Sequence, residues 1–472
     1  MNRATSVLGM LTAALLVGSV AAVGWRETAA ASAGIPRASL SAATSSPTAA
    51  SGPFQAGGRD DWSASVEPGP AVPPGPRPGP APGLRRVAAC TPPHADPPGP
   101  DADAASQRMQ LTEAHRFAAG AGQTAAVIDT GVAPHPRLAG RLRGGGDYLT
   151  GGAGLADCDG HGTAVAGILA AAPGGRAGGG VAGMAPAAQV LSIRLSSAAY
   201  AVASADGVPR PAGDLDTLAD AIVLAVRSGA TVVNISEAVC VPAAVAAAHA
   251  APIRAALRVA AQADVVVVAA AGNIGAGSCA AAIEDGADQV SDQVSLPGWL
   301  GDDILTVGAV GRDDRAAPFT VPGAWVDVAA PGTDLRSLAV DGGTTGATIQ
   351  GTSFAAPWVS GLATLLRERF PRLRAAQIAD RIVATARRLP GGPDRALGHG
   401  VIDPVAALTA LPEALTPAPP TPPTPGPTAT LAGTDPAPAR TPAGPPVETV
   451  AVVLGGACAA AAWLLRRGRP AR

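Results

Sequence analysis

The chain has 472 residues, of which 47% are apolar and 15% charged, with 34 basic against 36 acidic side chains. That is enough apolar material for one large core, while a net charge of −2 without a basic stripe argues against nucleic acid as a partner. Every basic residue other than histidine is an arginine, a matter of base composition rather than of function.

Residues 1–33 hold Arg3, an apolar run from Val7 to Val23, and small residues suited to signal peptidase at Val20-Ala21-Ala22 or Ala31-Ser32-Ala33. This is the pattern of a secretory signal peptide. Residues 34–103 form a Pro/Gly-rich extension centred on PGPAVPPGPRPGPAPG, with too little apolar surface to fold, so no folded inhibitory prodomain is expected there. Residues 104–411 read as a single α/β domain. Within it, Ala125 to Ile128 is a short apolar run typical of a central parallel strand. Asp129-Thr130-Gly131 follows at its carboxyl end, where open α/β sheets place their ligands. His161 opens HGTAVAGILAAA, a small-residue segment expected as a buried helix. Gly178 to Gly183 matches GxGxxG, but it precedes a strand at Gln189 to Leu195 instead of following one, so it reads as a loop. VVVVAAAGN is a buried strand running into Asn273. Ser353 precedes FAAPWVSGLATLLRERF, an amphipathic helix in which Pro357 is expected in the first turn.

Past the domain, residues 412–446 are a Pro/Thr/Ala linker expected to act as a semi-stiff tether. Val450 to Leu465 is continuously apolar or small, and with the extension from Val447 to Thr449 residues 447–465 reach the lower limit of a transmembrane helix. Residues 466–472 carry Arg466, Arg467, Arg469 and Arg472, which the positive-inside rule puts in the cytoplasm, leaving the α/β domain outside the cell membrane.

A serine hydroxyl is a weak nucleophile at neutral pH, so an imidazole must take its proton and a buried carboxylate must hold that imidazole in the right tautomer. Ser353, His161 and Asp129 supply these three groups. A serine at a helix start also has backbone N–H groups beside it for a tetrahedral oxyanion. Each residue alone has a plainer reading: a surface or core histidine, a turn-forming Asn273 before Gly275, an N-capping Ser353. Asp129 as half of an aspartic dyad would need a second apolar DTG or DSG string, and the chain has none. No acidic loop has calcium-ligand spacing, and neither a metal nor another cofactor is expected.

VIDTGV, DGHGTAVAG, VVVVAAAGN and GTSFAAPWVSG, in that order, resemble the subtilisin-like serine proteases, whose chain order differs from chymotrypsin and the α/β-hydrolases. The resemblance implies an α/β, three-layer fold with a mostly parallel central sheet, and a serine endopeptidase working through an acyl-enzyme. It assigns Asp129 to orient the imidazole, His161 as general base and then acid, Ser353 as nucleophile and Asn273 as oxyanion donor. It also aligns Ser236, Glu237 and Ala238 with the strand that pairs with substrate backbone, Ala238 standing where many subtilisins have glycine and so narrowing the first specificity pocket. Ala270, Ala271 and Gly272 would form that pocket's other side.

Outside those strings, GGDYLTGGAGLADCDGHGT, SIRLSS, AGDLDTLADAI, VVNIS, PGWLGDDILTVGAV and GHGVIDPVAAL resemble the mycosins, membrane-anchored subtilisin-like proteases of type VII secretion in actinobacteria. The extension is longer and more Pro-rich than in that family. The resemblance implies exported protein substrates, a secretion membrane complex as partner, and a membrane anchor through the C-terminal span. An alternative it leaves open is a mainly structural role in assembling the complex. A degenerate, protease-like binding protein would show a substituted catalytic residue, and none is substituted. Four exported cysteines allow three pairings; the resemblance implies Cys90 with Cys158 and Cys240 with Cys279, leaving Cys458 free in the span.

Overall fold

The computed structural model describes residues 78–90, 104–174, 181–203, 209–276, 279, 293–345, 349–388 and 393–411. The expected signal peptide, linker, span, basic tail and Cys458 lie outside these residues, as do most of the extension and part of the 178–183 glycine string. Among the described residues no helix is long and apolar enough to cross a membrane.

The strands are β1 (Leu84–Arg86), β2 (Thr124–Asp129), β3 (Leu142–Asp147), β4 (Gln189–Arg194), β5 (Tyr200–Val202), β6 (Arg210–Pro211), β7 (Val232–Ile235), β8 (Val239–Pro242), β9 (Val266–Ala270), β10 (Gln293–Leu296), β11 (Leu305–Val310) and β12 (Val328–Pro331). The helices are α1 (Ala104–Arg108), α2 (Leu111–Ala114), α3 (His161–Ala170), α4 (Leu215–Arg227), α5 (Ala243–Gln262), α6 (Thr352–Arg369), α7 (Ala375–Thr385) and α8 (Pro404–Thr409).

Seven strands make one sheet in the order β12-β11-β9-β7-β2-β4-β3, and all its pairings are parallel. The apolar run VVVAA in β9 and the run VVNI in β7, interrupted by Asn234, are buried throughout, as strands covered on both faces must be. In β2 the two-residue period divides the side chains between two cores. Ala125 and Val127 pack with Val165 and Leu169 of α3 and with Val359, Leu362 and Leu366 of α6. Ala126 and Ile128 pack with Ile222 of α4 and with Ile253 and Leu257 of α5. Each fully buried side chain of this size stabilises the fold by about 1.5–3 kcal/mol, so the three layers hold the strand ends firmly. Helix α6 is buried from Thr352 to Arg367. It comes close to its neighbours because Gly361 faces Met184, where a Cβ would lie 2.4 Å from the Met184 side chain.

From β2 the chain passes first to the edge strand β3, returns to place β4 between β3 and β2, then crosses to place β7 on the other side of β2. Strand order therefore reverses around β2, and a cleft opens beyond the carboxyl ends of β4, β2 and β7. Asp129, the segment from Leu195 to Ala199, and Ser236 to Ala238 all lie at these ends.

The extension is not wholly without structure, contrary to the expectation from its composition. β1 pairs antiparallel with β5, from Leu84↔Val202 to Arg86↔Tyr200, and β6 completes a small sheet. Arg85 and Arg86 are exposed, so apolar burial does not hold this strand. A backbone ladder holds it, together with the disulfide from Cys90 to Cys158.

Candidate active site

Asp129 ends β2 and is fully buried. Its Oδ1 accepts the Thr130 N–H at 2.7 Å and lies 2.7 Å from Nδ1 of His161. His161 begins α3, and its Nε2 is 2.9 Å from Oγ of Ser353, the second residue of α6. With a carboxylate on Nδ1, that nitrogen carries the proton and Nε2 presents its lone pair to the serine hydroxyl. The close approach of α3 to the end of β2 requires glycine after the histidine. A Cβ on Gly162 would sit 2.1 Å from the Gly131 carbonyl oxygen. Burial disfavours the imidazolium, but the charge and hydrogen bond of Asp129, with the charges of Glu237 and Asp157, outweigh it. The His161 pKa is held above its ordinary value.

Asn273 follows β9 by three residues. Its Oδ1 accepts both the Thr352 N–H at 2.9 Å and the Thr352 hydroxyl at 3.1 Å. The two donors fix the amide so that Nδ2 faces outward, and Thr352 Oγ1 in turn accepts the Gly272 N–H at 3.1 Å. A Cβ placed on Gly351 would be 3.0 Å from Ser353 Oγ and 3.4 Å from Asn273 Nδ2. The absent side chain thus leaves a space flanked by both groups. The Ser353 N–H has no acceptor among the described residues, so two donors converge beside the serine, as an oxyanion site requires.

Pro357 is the sixth residue of α6, in its second turn and not its first, because the helix begins at Thr352 and takes Ser353 in with it. A proline there leaves the carbonyl four residues earlier without its intrahelical donor, and that carbonyl belongs to Ser353. Ser236 Oγ donates to it at 2.7 Å. Asn234 Nδ2 donates to Ser236 Oγ at 2.8 Å, and Ser360 Oγ donates to Asn234 Oδ1 at 2.7 Å. All four residues are buried. The sequence signal for this chain was Asn234, a polar residue inside an otherwise apolar strand.

Ser236, Glu237 and Ala238 form the connection between β7 and β8 and are not themselves in a strand. Glu237 turns towards Ser196, whose hydroxyl donates to its Oε1. Across the cleft, Ala270 ends β9 and leads through Ala271 to Gly272. A Cβ on Gly272 would lie 3.1 Å from Ser295 Oγ and 3.4 Å from Cys279 Sγ. Ser295 pairs with Cys240 across β10 and β8, and Cys240 is bonded to Cys279. Ser295 and that disulfide therefore connect the Gly272 side to β8, the strand that follows Ala238.

Asp157 was not singled out from the sequence, yet it organises the start of α3. Its Oδ1 accepts from the Thr130 hydroxyl at 2.8 Å and the Gly160 N–H at 2.8 Å. Its Oδ2 accepts from the Thr163 N–H at 2.8 Å and the Thr163 hydroxyl at 2.6 Å. A carboxylate at a helix N-terminus satisfies donors that would otherwise be orphaned. Next to it, Cys158 ties the extension to this corner of the site.

A parallel sheet that gathers a buried carboxylate, an imidazole and a serine at its switch point, in the chain order Asp, His, Ser, defines a subtilisin-like serine endopeptidase. The Subtilase family profile matches residues 120–400. The chain belongs to that family and, within it, to the mycosins. Mycosin-4 of Mycobacterium tuberculosis is 43% identical over 320 residues, covering 66% of this chain and 70% of that protein. The crystal structure of MycP1 from the ESX-1 type VII secretion system superposes with a TM-score of 0.65 at 38% identity, covering 72% of this chain and 94% of that one. A chain in the periplasmic assembly of the ESX-5 inner membrane complex gives a TM-score of 0.63 at 35% identity, covering 78% of this chain and 98% of that one.

Proposed function

We propose that this endopeptidase processes exported proteins of a type VII secretion machine from the outer side of the cell membrane, with Ser353 as its nucleophile. His161 Nε2 takes the hydroxyl proton as Ser353 Oγ attacks the scissile carbonyl carbon. The Asn273 amide and the Ser353 N–H stabilise the resulting oxyanion. His161 then gives its proton to the leaving amine, and a water attacks the acyl-enzyme by the same route in reverse. Asp129 keeps the imidazole oriented and supports its charge throughout. The observation that carries this reading is the continuous line from Asp129 to His161 to Ser353, at 2.7 and 2.9 Å.

The setting outside the membrane rests on the signal-like residues 1–33, the apolar stretch 450–465 within 447–465 and the arginines of 466–472. The likeness to a chain of the ESX-5 inner membrane complex supports the same setting and favours a second role, as a structural member of the secretion complex. Labelling of the full chain by a fluorophosphonate tests the chemistry. It should occur on Ser353 and disappear in Ser353→Ala and His161→Ala; labelling that persists in Ser353→Ala would sink the assignment.

A further inference from the structure

Glu237 has no part in the triad, yet its position gives it a hold on both the cleft and the imidazole. Its side chain reaches past the carboxyl end of β2 to Ser196, two residues beyond β4, and so links the two strand ends that flank Asp129. The linked segment is held from the other side by Asp159, whose Oδ1 accepts the Ala198 N–H at 3.0 Å, two residues before His161. Next to Glu237 in the chain, Ser236 holds the Ser353 carbonyl. A closed circuit of contacts therefore joins the base, the segment 196–198, Glu237 and the nucleophile.

The charges around this group are Asp129 on β2, Asp159 ahead of α3, and His161 itself. Those acting on His161 are Asp129, Glu237 and Asp157. Arg194, at the end of β4, is engaged with Asp147 and the Tyr200 ring. The one cation among the charges named as acting on Glu237 is thus the imidazolium.

We propose that Glu237 is a second positioning carboxylate of the catalytic centre: ionised, it supports the positive charge that His161 acquires from Ser353, and through Ser196 it fixes the spacing of the cleft edges. Burial and the Asp129 charge push the Glu237 carboxyl up to about 7, against the pull of the Ser196 hydrogen bond and His161. It therefore ionises at a lower pH than the one, about 9, at which His161 loses its proton, and is charged before the imidazole becomes a free base. An ionised Glu237 has two opposed effects on the rate. It raises the pH at which His161 becomes a free base, and it lowers the energy of the transition state in which the imidazole is charged.

The inference rests on His161 serving Ser353, so fluorophosphonate labelling of the parent full chain comes first; a parent unlabelled at Ser353 overturns that reading. On a labelled parent, kcat and kcat/KM for a peptide substrate are followed against pH, per labelled site. Glu237→Gln keeps an oxygen for Ser196 and removes the charge. It should move the acid limb of kcat/KM down by about half a pH unit or more and lower the limiting kcat about 3- to 10-fold. Ser196→Ala keeps the charge and removes the tie, so it should raise KM while leaving the acid limb in place. A Glu237→Gln profile superimposable on the parent overturns the inference, as does an acid limb moved equally by Ser196→Ala. Should Glu237→Gln not label at all, Glu237→Asp decides: the charge retained on a shorter arm should keep the parent acid limb, and a limb moved towards acid there overturns the inference.

Discussion

Among individual residues, the least conspicuous contact has the clearest energetic consequence. Pro357 removes the natural donor to the Ser353 carbonyl, and Ser236 replaces it from a strand end 117 residues away in sequence. Ser236→Ala should leave a buried carbonyl unpaired and lower stability by about 1–3 kcal/mol. The same substitution loosens the first turn of α6, so kcat should fall with little change in KM, a split that peptide kinetics with thermal melts would show. Asn273→Ala should lower kcat by roughly 10² to 10³, the usual loss for one oxyanion donor. A comparable rise in KM with kcat retained would speak against that role. The sign of the Glu237 effect on stability is opposite to that of a salt-bridged carboxylate. Its folded pKa, about 7, lies above the ordinary 4.5, so the stability it contributes is present below that lower value and is lost as pH rises through the higher one. Thermal melts of Glu237→Gln should therefore lie above the parent at pH 8 and converge with it at pH 4. The positions of Asp129, His161, Asn273 and Ser353 were legible because each stands in a local string that the chemistry constrains. Asp157 and the buried role of Ser236 were not, since a hydroxyl or carboxylate does not announce a partner that only the tertiary fold brings near. The misplacement of Pro357 has the same origin: Gly351 and Asn273 together let the helix begin at Thr352, and neither shows as a cap in the sequence.

Among elements, the central strands were legible and the edge strand was not, for one physical reason. β2, β7 and β9 are buried on both faces, so they read as mainly apolar runs, broken in β7 by Asn234 and closed in β2 by Asp129. β1 is Leu-Arg-Arg, carries no such run, and depends on its ladder to β5 and on the Cys90–Cys158 link. Closing a loop over a separation of 68 residues contributes about 4 kcal/mol in the chain-entropy model, before any strain. Cys90→Ser should accordingly release β1 first. Hydrogen exchange should show loss of protection at 84–86 and 200–202 while β2, β7 and β9 stay protected. Because Cys158 adjoins Asp157, which holds the start of α3, activity should also fall. Unchanged exchange in β1 would show that the ladder suffices without the disulfide.

At the scale of the whole molecule, the fold sets the catalytic chemistry apart from whatever attaches the domain to its surroundings. The triad sits at the sheet's switch point, fixed by two cores that bury β2 on both faces. If the mycosin likeness extends to a structural role, proteolysis and assembly are separable by mutation. Ser353→Ala changes one hydroxyl inside a buried helix turn and leaves the outer surface intact. It should keep the secretion complex whole and alter only the processing of exported substrates. If residues 447–472 anchor the domain, their removal should do the reverse, releasing a domain that still cleaves peptides while the complex weakens. Native electrophoresis of the detergent-solubilised complex from each strain, beside a peptide assay, reads both outcomes. Equal loss of the complex in the two strains would mean that catalysis itself is needed for assembly. A complex that survives complete deletion of the protein would leave it with proteolysis alone.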